Sequence, residues 1–146
     1  MSGIQSDLKD GNKFEDYILD IVKKDYPDAV RMEGYFPDYD IEVPGKDITY
    51  ECKFDRMSQK TGNLAIEFEY NKKPSGINKS KAVWWVYGYF NKKNSKWMHA
   101  FIKTEDLKKQ CDGYRVVNGG DRWASKMYLI PVEDFEKFEG IEISEA

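Results

Sequence analysis

Two period-two runs meeting at Pro44-Gly45 constrain this chain more than any other feature. On one side Tyr39, Ile41 and Val43 alternate with Asp38, Asp40 and Glu42. On the other, ITYECKF puts Ile48, Tyr50, Cys52 and Phe54 on one face and Thr49, Glu51 and Lys53 on the opposite one. Such alternation fits strands with one buried face, and Pro-Gly between them marks a turn. Treated as a hairpin, the pair has a register set by its loop. A four-residue loop, Pro44 to Asp47, pairs Val43 with Ile48, Glu42 with Thr49 and Asp40 with Glu51. A two-residue loop sets Asp38 opposite Glu51 instead. The parity is the same, so an aspartate faces Glu51 in both cases, with Lys53 two residues along on the same face. Opposed Cβ atoms in a sheet lie roughly 5 Å apart.

The other elements are read from the same kind of signal. Phe14, Ile18, Ile21 and Val22 recur at helical spacing until Pro27, with Asn12 and Glu15 spaced as a capping box. After a polar loop from Arg56 to Asn63, a third strand alternates Leu64, Ile66, Phe68 and Tyr70 with Glu67 and Glu69 on one polar face. KKPSGINKSKA reads as a loop with a short helix near Ser80. VWWVYGYF and WMHAFIK read as strands around the turn NKKNSK, and Thr104 as the N-cap of a helix. MYLIPV is a final strand leading into a short helix, EDFEKF. The expected fold is α/β or α+β, a single domain over 1–146 with a mixed central β-sheet flanked by helices.

Composition removes several classes of function. Hydrophobic residues at 40% and aromatics at 15% argue against disorder. No apolar run approaches the roughly 18 residues of a membrane span, and the N-terminal stretch has no apolar signal segment. Two cysteines, Cys52 and Cys111, form no disulfide framework and fit a reducing, cytoplasmic home. One histidine, His99, without paired CxxC argues against zinc and against a histidine-based mechanism; His99 is expected to be structural. The net charge of −3 is unevenly spread. Arg56 to Lys81 holds six basic residues against Glu67 and Glu69, whereas Glu133 to Ala146 holds six acids against Lys137. The first segment is suited to face phosphates, and the tail to be solvated or repelled.

Two carboxylates facing each other repel, and a cation between them relieves the cost. Mg²⁺ takes oxygen ligands and keeps several waters, so it suits Glu51 and the aspartate that faces it, Asp40 or Asp38. A lysine ammonium beside them can stabilise charge developing on a phosphate or orient a water. These parts suffice for phosphodiester hydrolysis without histidine.

Pro37-Asp38-Tyr39-Asp40, followed by Glu51-Cys52-Lys53, resembles the PD-(D/E)xK, or restriction-endonuclease-like, nuclease superfamily. The order of helix, acidic strand, turn, ExK strand, further strand, basic loop and helix is similar to that family's core, over about Phe14 to Phe90. The run TGN…IE.E…PSGI…SKA also resembles small phage-type members. The resemblance implies a Mg²⁺-dependent DNA endonuclease, with Mn²⁺ as substitute, a 5′-phosphate product and homodimers or higher oligomers. A phage-encoded member would work in the host cytoplasm. Carried over residue by residue, the first metal ligand is Asp40, with Asp38 as the other candidate. Glu51 is the second carboxylate, Lys53 the catalytic lysine and the Cys52 backbone carbonyl a third metal contact. Glu15 would be an accessory ligand through water, set against its capping role, and Glu67 a further one.

Lys60, Lys72, Lys73, Ser75, Ser80 and Lys81 are the expected DNA contacts, through charge and hydroxyl hydrogen bonds. The Cys52 side chain is expected in the core, as are Trp84, Trp85 and Tyr87, with stacking on a base as the alternative role for one of the aromatics. Two other functions compete with the nuclease. One is a non-catalytic DNA-binding or assembly module that kept the fold; the other is a structure-selective, junction-resolving enzyme.

Overall fold

A computed structural model describes residues 11–34 and 38–146, and Pro37 of the acidic motif lies outside them. Helix α1 spans Gly11–Asp25, followed by short strands β1 (Val30–Arg31) and β2 (Ile41–Val43) and by β3 (Ile48–Phe54). Helical turn α2 (Ser58–Thr61) leads to β4 (Asn63–Tyr70), β5 (Lys73–Pro74) and a 3₁₀ turn at Gly76–Asn78. Strands β6 (Trp84–Asn91) and β7 (Lys96–Lys103) precede α3 (Thr104–Cys111), β8 (Arg115–Gly119), β9 (Ser125–Pro131), α4 (Val132–Phe135) and β10 (Glu142–Glu145). Among the described residues, no helix is long and apolar enough to cross a membrane.

The described residues form an α+β structure with two sheets rather than the one expected. A six-stranded mixed sheet runs β1-β2-β3-β6-β7-β10, and a four-stranded sheet runs β5-β4-β9-β8. Among the described residues, only the β3–β6 pairing is parallel. The third strand read from the sequence, β4, therefore leaves the mixed sheet and pairs with β9. Two cores share the mixed sheet. Phe14, Ile18 and Val22 of α1 pack on Ile41, Val43, Tyr50, Cys52 and Val86. On the other face Trp85, Tyr87, Ala100 and Ile102 meet Leu64, Ile66 and Ile130 of the second sheet. Each such apolar side chain, fully buried, contributes about 1.5–3 kcal/mol. The strict alternation of β3 puts Tyr50 and Cys52 in the first core, which leaves Glu51 and Lys53 facing the second sheet.

Several local readings need correction. Asn12 lies inside α1 and does not cap it; its side-chain oxygen accepts a hydrogen bond from Arg31 Nη2 at 2.7 Å. Thr104 is the first residue of α3 rather than its cap, and its hydroxyl donates to the Ala82 carbonyl at 2.6 Å. A bulge at Phe68 shifts the β4 register between Glu67, opposite Met127, and Glu69, opposite Lys126. Met127 and Lys126 are adjacent, so Glu67 and Glu69 point to opposite faces and do not share one. The acidic tail is woven into the fold. β10 pairs with β7, Glu136 accepts from Tyr89 and Asn91, and Asp134 accepts from Tyr114. His99 is buried against Tyr17, as a structural histidine.

Candidate functional site

The hairpin takes the four-residue register: Val43 pairs with Ile48, Glu42 with Thr49 and Ile41 with Tyr50. Asp40 stands one residue beyond the end of β2, where its backbone N–H donates to the Tyr50 carbonyl at 2.9 Å. Its carboxylate then continues the ladder in place of backbone, with Asp40 Oδ2 accepting from the Cys52 N–H at 2.8 Å. That bond locks Asp40 beside Glu51. A strand residue directs its N–H and C=O to the same edge. The Cys52 carbonyl therefore points toward the same edge as the Asp40 carboxylate.

Asp40, Glu51 and Lys53 line an open cleft of about 850 Å³. Glu15 and Arg31 form part of one wall, and Glu67, Tyr70, Ser75 and Lys79 part of the opposite one. Burial, and then the neighbouring Asp40, push the Glu51 carboxyl up to about 7, while Lys53 opposes the shift. Lys53 Nζ sits 3.5 Å from Glu51 Oε2 and 5.9 Å from the centre of the buried Trp85 ring. Burial also raises the Glu15 carboxyl, with Asp40 adding to the shift and Arg31 opposing it.

The other expected residues divide clearly. Asp38 is not a lining residue; it lies 3.9 Å from Lys81, so both are engaged outside the cleft. Glu15 is drawn aside by Arg31, whose Nε donates to it at 2.9 Å. Glu67 accepts from the Ser75 hydroxyl at 3.0 Å, which ties the basic loop to β4. Gly76 makes that contact close: at φ +49° it lies so near the Glu67 carbonyl that a Cβ would collide with backbone. The Ser80 hydroxyl oxygen accepts from Trp85 Nε1 and from the Ala82 N–H, so it braces the loop. Lys72 and Lys73 are exposed beyond the cleft lining, and Lys60 lies in α2, where its carbonyl accepts from Lys92. Cys52 is buried, and burial raises its thiol well above the ordinary value. Trp85 and Tyr87 are core residues, while Trp84 is only partly buried.

Several lining residues were given no site role from sequence, Arg31, Tyr70 and Lys79 among them. Lys79 carried a signal, because it belongs to the basic segment. Arg31 carried none, since its partners Asn12, Glu15 and Asp16 lie on α1 and are brought to it by folding. Tyr70 would face away from Glu67 without the bulge.

Among the described residues no three His, Cys, Asp or Glu side chains form a ready metal cage. The donor set is a carboxylate pair. That fits a cation which takes one or two carboxylates and completes its shell with water, as Mg²⁺ does, and does not fit one that needs an all-protein cage. Comparisons with family models, curated proteins and solved structures give no match, so the geometry of this cleft is what bears on function.

Proposed function

We propose that the chain is a Mg²⁺-dependent DNA nuclease of the PD-(D/E)xK type, with a restriction-endonuclease-like core built on α1, β2, β3 and β6. The observation that carries this reading is the Asp40–Glu51 pair, two carboxyls lining one open cleft, with Asp40 tied to the Cys52 N–H next to Glu51 at 2.8 Å and the Lys53 amine 3.5 Å from Glu51. A protein gains nothing in stability from burying a repulsive pair, so the pair points to a cation.

Asp40 and Glu51 would hold the metal, with the Cys52 carbonyl on the same edge. Bound there, a divalent cation lowers the pKa of its water and polarises a phosphoryl oxygen. Lys53, half exposed, is placed to offset charge on the scissile phosphate and to orient a water. Lys79 and Ser75, across the cleft, are suited to hold the DNA backbone. Mn²⁺ is expected to substitute, and pairing of two copies would bring two sites to two strands.

Supercoiled plasmid incubated with the protein tests this. With Mg²⁺ or Mn²⁺ it is expected to be nicked or linearised, and with EDTA to stay intact. Lys53→Ala and Glu51→Ala should each slow cleavage roughly 100-fold or more, as loss of a transition-state charge partner does. Cleavage that survives EDTA or both substitutions sinks the mechanism. Binding without cleavage in every metal favours a non-catalytic DNA-binding module.

A further inference from the structure

The end of the second sheet beside the cleft carries a feature that hydrolysis does not use. The β4–β5 and β8–β9 turns lie side by side there. Tyr70 pairs with Ser125, and the Asn71 N–H donates to the Ala124 carbonyl at 3.0 Å. Tyr70 is 48% exposed and lines the cleft, so this end continues the cleft wall. Trp123, one residue from Ala124, is 72% exposed, the most exposed large hydrophobic side chain among the described residues.

Both turns hold non-glycine residues in left-handed backbone: Asn71 at φ 49° and Lys72 at 65°, Arg122 at 56° and Trp123 at 58°. A bulky residue there costs on the order of 1–2 kcal/mol. The turn is nevertheless held. The Trp123 N–H donates to the Gly120 carbonyl, and Asn118 Nδ2 donates to the Trp123 carbonyl. The charge at this end is mainly positive. Lys72, Lys73 and Arg122 are exposed, and the Glu69 carboxylate is already paired with Lys126 at 3.5 Å. Asp121 is the acid within the turn.

We propose that Trp123, with Tyr70 nearer the cleft, is a stacking platform for unpaired nucleotides that flank the scissile phosphate. The preferred substrate is then DNA with a single-stranded gap, flap or branch rather than intact duplex. The face of an exposed indole gains little from a phosphate, whereas a base presents a π-face that paired DNA hides inside the helix. Surrounding lysines and Arg122 supply the backbone attraction that stacking lacks. The choice of DNA as ligand rests on the nuclease reading.

Fluorescence anisotropy in EDTA, with labelled single-stranded, gapped and blunt duplex oligonucleotides, separates the two ideas because no cleavage is involved. Trp123→Ala is expected to weaken single-stranded and gapped DNA about tenfold and blunt duplex less than twofold, and Trp123→Phe to recover most of the loss. In the wild-type protein, a single-stranded oligonucleotide should shield the exposed tryptophan from acrylamide quenching, which guards against a misfolded variant. Equal losses on every DNA, no loss on any, or no shielding overturns the platform. A protein that shows the expected selectivity yet cleaves neither plasmid nor gapped DNA with Mg²⁺ or Mn²⁺ loses the nuclease reading and keeps the stacking platform. Cleavage with unselective binding does the converse.

Discussion

Glu51 carries a carboxyl that water would ionise readily and that this fold makes costly to ionise. Burial and the facing Asp40 raise it to about 7 from 4.5, so between those values the folded protein keeps a proton that the unfolded chain has lost. Stability then falls as pH rises: the contribution is whole below about 4.5 and gone above about 7. Metal-free wild-type protein should therefore lose on the order of 1–3 kcal/mol between pH 5 and pH 8 relative to Glu51→Gln, which has no proton to lose. Thermal melts of both across that range check this, and parallel curves would count against a raised Glu51. At this scale the sequence was informative wherever strand parity decided the matter, as for Glu51, Lys53 and the buried Cys52 side chain. It also narrowed the first carboxylate to two aspartates, of which only Asp40 lines the cleft. Arg31 was illegible for a physical reason: the three α1 residues whose side chains accept from it come within reach only when α1 docks beside β1.

Elements dock here through small residues as much as large ones. Gly88 on β6 lies under α1, and a Cβ built on it would stand 2.5 Å from Phe54 Cδ1 and 2.8 Å from Phe14 Cε1. Both rings belong to the packing between α1 and the mixed sheet, so they yield only by shifting the helix. Gly88→Ala should cost about 1–3 kcal/mol, read as a lowered chemical-denaturation midpoint with an unchanged slope. A neutral result would mean that α1 is packed more loosely than these contacts imply. Element type was readable where alternation was long, as in β3, β6 and β7. It was misread where tertiary structure outbids a local signal. Asn12 and Thr104 have capping chemistry, but each spends its side chain on a distant partner. The bulge at Phe68 turns Glu69 away from Glu67 and interrupts no pattern in the sequence. β8 escaped notice because it is short, mostly exposed and lacks alternation.

For the whole molecule, β10 closes an edge that would otherwise be open. It covers β7 with Glu142 opposite Phe101 and Ile143 opposite Ala100, and Lys96 adds an ion pair to Glu145 at 3.2 Å. Ending the chain after Gly140 should leave β7 as an unprotected hydrogen-bonding edge and drive self-association, visible by light scattering during size exclusion. A monodisperse, unchanged product would show that β10 is dispensable. The strand was hidden because six acids in fourteen residues read as solvated tail, although Ile141 and Ile143 flank Glu142 and pack on the core. The parallel pairing of β3 with β6 bears on timing. The β2–β3 hairpin needs only neighbours in the chain, so the acidic pair can meet early. The ring beneath the Lys53 amine must wait for Trp85 of β6, and the wall bearing Glu67 and Tyr70 for β9, which ends at Pro131. A chain emerging from synthesis thus carries its carboxylates long before it has the cleft they line, and it gains that cleft only after the residues through Pro131 have followed.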